Sequence, residues 1–165
     1  TFALNKSDWW TLDDIIRMED SVGIRSHFNF FADKRKKNFK AWFFNPGYTI
    51  TDSRVRRFVN DAQKKRFVIG LHPGFDTWKD SALIEEQKRN LDEVLEKKVS
   101  TCRQHWLRFS WENTWSAQET AGIELDTTLM FNDRPGFRNA AALQWNPWNE
   151  KADRKSTRLN SSHYS

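Results

Sequence analysis

The stretch "IGLHPGFDT", residues 69–77, sets the reading of the chain. Phe67 to Leu71 is apolar and has the length of a buried strand, and it runs straight into His72. A Pro73-Gly74 turn follows, then Asp76. A plain turn needs neither an imidazole nor a carboxylate. A metal site or an acid-base pair uses both, at the place where a strand reaches solvent.

Working outward, helical and extended patterns alternate. Thr11 to Val22 reads as a helix, with Thr11 and Asp14 spaced as a capping box, Leu12, Ile15 and Ile16 on one face and Gly23 as its stop. Residues 25–31, "RSHFNFF", form a short aromatic strand that includes His27, read as a structural histidine. Residues 33–49 read as a long loop holding the basic run Lys34 to Lys37 and the cluster Trp42, Phe43 and Phe44. A second helix spans about 52–65, with Val55, Phe58, Val59 and Ala62 at helical spacing, and a third spans about 80–97. A strand over 100–107 takes in most of "CRQHWLRF" (102–109), a helix over 111–121 ends at Gly122, and 122–129 is the next strand. Such alternation implies parallel strands joined by right-handed helical crossovers, so the fold class is α/β, either a barrel or a doubly wound sheet. Neither a GxGxxG fingerprint nor a P-loop is present, which weakens the nucleotide-binding versions of these folds.

Bulk properties narrow the class. The chain has 165 residues, 38% hydrophobic and 30% charged, which suits one globular domain. Nine Trp and thirteen Phe are an excess that fits rings stacked on sugars or on bases. Of the net charge of +5, Arg154, Lys155 and Arg158 supply three, leaving +2 on the body, which argues against a nucleic-acid partner. No apolar run approaches the roughly 18 residues of a membrane span, so no membrane partner is expected. No signal peptide opens the chain, which favours the cytoplasm, although Thr1 in place of Met points to a natural start upstream. The single Cys102 excludes an internal disulfide and reads as a small buried thiol. Residues 154–165, "RKSTRLNSSHYS", have no hydrophobic period and closely resemble a translated sequencing adapter. The expected organisation is one domain over 1–153 and a non-native, disordered tail over 154–165.

Polar residues fall on successive strands: His72 at the end of its own, Arg103 and His105 on or just past the next, and Asp126 in the one after. In parallel α/β folds these ends converge on one face and build the active site. Imidazole and carboxylate are ligands of a catalytic zinc or similar ion, which activates water and polarises a carbonyl. Bland roles compete: a turn carboxylate for Asp76, a core histidine for His105, a buried ion pair for Arg103 with Asp126. No GxSxG nucleophile motif occurs.

At "IGLHPGFDT", "CRQHWLRFSWENTW" (102–115) and "AGIELDTTLMFNDRPGFRNA" (121–140) the sequence resembles the polysaccharide deacetylase superfamily, over roughly residues 8–150. The resemblance implies a partial, deformed (β/α) barrel and a divalent metal ion such as zinc. It also implies removal of acetyl groups from a glycan. The family's metal histidine falls at His72, and its second histidine, four residues on, is here Asp76, with His105 able to supply the missing imidazole. The arginine motif that positions the catalytic carboxylate falls at Arg103, and the following aspartate motif at Asp126. Trp106 and Arg138 are the substrate-binding candidates. The family's Asp-Asp pair and its Leu-x-His motif are not visible, so the resemblance implies an interior fragment without activity of its own. A carbohydrate-binding relative that has lost catalysis is the alternative, and a nucleic-acid-binding module a weaker one.

Overall fold

The computed structural model describes residues 10–36, 38–140, 144–149, 154–155 and 159–160. The element order is α1 (Leu12–Val22), β1 (His27–Phe30), α2 (Phe39–Phe44), α3 (Ser53–Lys64), β2 (Val68–Leu71), α4 (Ser81–Leu95), β3 (Thr101–Cys102), α5 (Thr114–Thr120) and β4 (Leu125–Asp126). Short strands β5 (Trp148–Asn149), β6 (Arg154–Lys155) and β7 (Leu159–Asn160) follow. The main sheet has the order β1-β2-β3-β4-β7, and every pair in it is parallel. The α/β alternation is as expected. Within the tail, residues 154–155 pair antiparallel with β5 and residues 159–160 pair with β4; the other tail residues, like Lys37, lie outside the described set.

Side-chain chemistry explains where the helices start and stop. Asp52 caps α3 by accepting from the amides of Arg54 and Val55, and Asp80 caps α4 by accepting from Leu83. Gly23 ends α1 at φ 72°, where a side chain would be strained. Thr11 is the N-cap of α1, but its hydroxyl makes no capping bond, so the expected capping box is not formed.

Parallel register assigns the faces. Phe30, Leu71, Cys102 and Asp126 line up across the sheet and face the helices. There the apolar ones join one core with Ile16 of α1, Phe58, Val59 and Ala62 of α3, Ile84 and Leu91 of α4, and Ala117 of α5. Strands 1 to 4 lie in chain order, and α4 touches both α3 and α5. Each right-handed crossover therefore steps the same way and lays its helix on the same side. The opposite face carries His27 and Asn29 of β1, Gly70 of β2 and Thr101 of β3, with His72 and Arg103 at its upper rim.

Three sequence expectations need correction. The loop over 33–49 contains α2, whose six residues bury none of their side chains and so show no core-facing stripe. The strand over 100–107 pairs only at 101–102. The chain then forms a tight turn over His105–Leu107, with Trp106 and Leu107 at φ 56° and 49°. The strand over 122–129 is paired only at 125–126, because Gly122 and Ile123 are still used in closing α5. Among the described residues no helix is long and apolar enough to cross a membrane.

Candidate functional site

His72 extends β2: its amide donates to the Phe30 carbonyl at 2.8 Å, and the amide of Arg103 donates to Leu71 at 2.9 Å. These two bonds bring the ends of β1, β2 and β3 level. The turn after His72 is clamped from below. Gly74 N donates to Gln87 Oε1 (2.8 Å), Phe75 N to Asn45 Oδ1 (2.9 Å), and the Thr77 hydroxyl to the Gly74 carbonyl (2.8 Å). Gln87 and Thr77 are fully buried. The clamp fixes the imidazole relative to the sheet.

His72 and His105 meet with Nε2 and Nδ1 only 2.6 Å apart and their rings at 85°. Their outer nitrogens settle the tautomers. His72 Nδ1 lies 2.8 Å from the Arg103 carbonyl, and His105 Nε2 lies 2.6 Å from the Phe44 carbonyl. A carbonyl only accepts, so both outer nitrogens carry hydrogen and both donate. In the neutral rings the two inner nitrogens are then both acceptors, with their lone pairs aimed at each other. Burial, the neighbouring His105 and Arg103 push the His72 pKa down to about 4, against the opposing pull of its carbonyl bond. Burial also lowers His105, opposed by its bond to Phe44. So short a contact is held by a proton or a cation between the two nitrogens, and burial of both rings disfavours the proton.

The two rings line an open depression of about 550 Å³ together with Arg103, Trp106, Leu107, Met130, Phe131 and Asn132. Trp106 stands at the rim, 57% exposed, edge-on to His105 and with its indole N–H 3.4 Å from the Phe44 carbonyl. Arg103 reaches the Thr127 carbonyl (3.3 Å) and Met130 Sδ (2.7 Å). Arg138 does not line the depression. It braces the wall by donating to the carbonyls of Leu107 (2.7 Å) and Thr128 (3.2 Å).

Two expected site residues are not brought to this pair. Asp76 follows a turn that swings it away, and its carboxylate meets Arg35 at 3.1 Å in a separate small cleft with Asp33. Asp126 is fully buried on the helix side of the sheet, accepting from Gln118 Nε2 (3.1 Å), Trp115 Nε1 (3.3 Å) and the Thr128 hydroxyl. Among the described residues no three His, Cys, Asp or Glu side chains form a group that could hold a metal ion. Sequence reading missed the Phe44 carbonyl, Gln87 and Asn45. Backbone acceptors leave no signature in a sequence, while the two amides sit in elements read for other reasons. Cys102 is fully buried beside Gln104 and Gln118, as expected of a small core thiol.

His27 lies lower on the same face, with Nε2 2.7 Å from the Thr101 hydroxyl. Burial, with a smaller contribution from Arg103, lowers its pKa to about 4. The unfolded chain therefore takes up this proton first as pH falls. The stabilisation is complete above about pH 6.5 and is lost between there and about pH 4. Urea unfolding at about pH 7.5 and about pH 4.5 is expected to show His27→Gln losing about 2 kcal/mol less than the wild type over that interval. Equal losses in both proteins would contradict the burial argument.

Fold and site together define an α/β protein with a parallel sheet and a paired-imidazole depression at its strand ends. Compared with known families and curated proteins, the sequence matches no family model and no curated relative.

Proposed function

We propose that this chain is part of a metal-dependent hydrolase of the polysaccharide deacetylase type, in which His72 and His105 hold a divalent ion, zinc by preference, and Trp106 receives an acetylated sugar. The observation that carries the reading is the pair of inner nitrogens, 2.6 Å apart, with both outer nitrogens donating to carbonyls. An ion at about 2.0–2.1 Å from each in tetrahedral geometry needs them about 3.3 Å apart, so the rings would part slightly to take it. Metal-bound histidines characteristically donate their second N–H in this way, which fixes ring and tautomer before the ion arrives. A divalent ion held there supplies Lewis-acid activation of water and of an acyl carbonyl. Arg103 at the wall suits an anionic or polarised acyl oxygen, and the exposed face of Trp106 suits a pyranose ring. Sequential strand order and helices on a single side support a (β/α) barrel over a doubly wound sheet, whose strand order reverses.

Calorimetric titration with Zn²⁺ or Co²⁺ tests the reading. One ion per chain is expected to bind, and His72→Ala or His105→Ala to weaken it at least about 100-fold. The Phe44 carbonyl, not its ring, partners His105, while the ring packs on Phe75 and Trp106. Phe44→Leu keeps the carbonyl and an apolar side chain, so it should leave binding within about threefold. Stoichiometric binding that ignores both histidine substitutions, or no binding at all, defeats the proposal and leaves a carbohydrate-binding relative as the better description.

A further inference from the structure

The feature this reading leaves unused is α2. Phe39, Trp42 and Phe43 are 83%, 69% and 66% exposed, three large rings side by side on a six-residue helix with no buried residue. Isolated exposed rings are ordinary, but a contiguous set marks a contact surface. Residues 33–44 hold five Lys or Arg against the single Asp33. The acids nearby are already paired: Asp33 and Asp76 with Arg35, and Glu93 with Lys34. Lys36 and Lys40 remain on the exposed side, Lys40 with its ammonium 5.2 Å over the Phe75 ring.

We propose that α2 docks this protein on an anionic lipid–water interface, with Phe39, Trp42 and Phe43 entering the headgroup layer and Lys36 and Lys40 meeting lipid phosphates. Bulky rings beside lysines are the composition of an interfacial anchor. A polysaccharide fits less well, because sugar hydroxyls call for carboxylate or amide partners beside the rings, and α2, with the sequence FKAWFF, carries none. The expectation of no membrane partner rested on the lack of a spanning segment, and an interfacial helix requires none. The placement also has a geometric consequence. Phe44, the last residue of α2, accepts from both His105 and Trp106 through its carbonyl, so a docked α2 sets the mouth of the depression at the lipid surface.

Sedimentation of the whole chain with vesicles of phosphatidylcholine, with and without phosphatidylglycerol, tests this. Partition is expected to rise with phosphatidylglycerol and to fall as salt is added. Phe39→Ala/Trp42→Ala/Phe43→Ala should weaken it at least about tenfold. Lys36→Glu/Lys40→Glu should weaken it about tenfold on the anionic vesicles alone. All replaced side chains are exposed, and an unchanged far-ultraviolet circular dichroism spectrum and urea midpoint verify the fold. His72→Ala should partition like the wild type, which separates this inference from the metal site. The proposal is overturned by partition that does not respond to phosphatidylglycerol or to the triple substitution. It is equally overturned by a dimer in light scattering that the triple substitution dissolves, or by retention on insoluble glycan in place of vesicles.

Discussion

Asp126→Ala is expected to destabilise the protein by about 3–5 kcal/mol, read from urea unfolding at neutral pH. The carboxylate is fully buried and collects donors from three directions: the Trp115 indole, the Gln118 amide and the Thr128 hydroxyl. Removing it leaves those donors in a space that water does not reach, and each stranded donor costs about 1–3 kcal/mol. Asp126→Asn keeps the shape but turns one acceptor into a donor facing Trp115 or Gln118, so about 2–3 kcal/mol is expected there. The arrangement also predicts coupling. Once Gln118 is replaced by leucine, Asp126→Ala strands one donor fewer and should cost at least about 1 kcal/mol less.

A catalytic aspartate behaves differently. Its removal leaves the unfolding midpoint in place and abolishes turnover. An Asp126→Ala protein within about 0.5 kcal/mol of the wild type would show that the carboxylate is not the anchor between α5 and β4 that its contacts make it.

Whether Asp126 faces the depression or the helices is a matter of strand parity, and that is where sequence reading stops. The strand end at His72 was legible from an apolar run bounded by a turn, whereas Cys102 and Asp126 fall inside the longer strands the sequence predicts over 100–107 and 122–129. In β4, however, only two residues are paired, too few for an alternation to show which way each points. The register places Asp126 beside Cys102 and not beside Arg103, and a one-residue slip exchanges the two faces. Asp76 is set apart from the histidine pair for a related reason. Four residues place two side chains together on a helix, but here a clamped turn separates them, and Arg35 from the distant 33–38 segment claims the carboxylate. The helices were easier to read. Asp52, Asp80 and Gly23 announce their ends, and the stripes of α3 and α4 are regular. The exception is α2, whose exposed rings imitate a loop cluster because no core selects their spacing. The His72–His105 contact was suggested by two successive strand ends. Its tautomers depend on two carbonyls that nothing in the side-chain sequence reports.

Gly70→Ala is expected to cost about 2–4 kcal/mol, although Gly70 is absent from the glycines with positive φ. The reason is space above the sheet, not backbone conformation. A Cβ on Gly70 would lie 2.5 Å from His27 Nε2 and from Thr101 Oγ1, and no farther from Asn29 Oδ1. Those atoms belong to the strands on either side, and His27 and Thr101 hydrogen-bond to each other directly over the glycine. Neighbouring strands lie about 4.8 Å apart, so first and third strands make such a bond only where the middle one lacks a side chain. A methyl group there breaks the bond and forces the His27 ring aside. The Thr101 hydroxyl sits one carbon from its backbone and has less room to move. Removing the obstruction should recover part of the loss: the cost of Gly70→Ala in a His27→Ala background is expected to fall by about 1–2 kcal/mol. Urea unfolding of the four proteins measures this directly. If Gly70→Ala is tolerated within about 0.5 kcal/mol, or if its cost is the same with and without the His27 ring, the polar bridge across β2 is not what keeps this position a glycine.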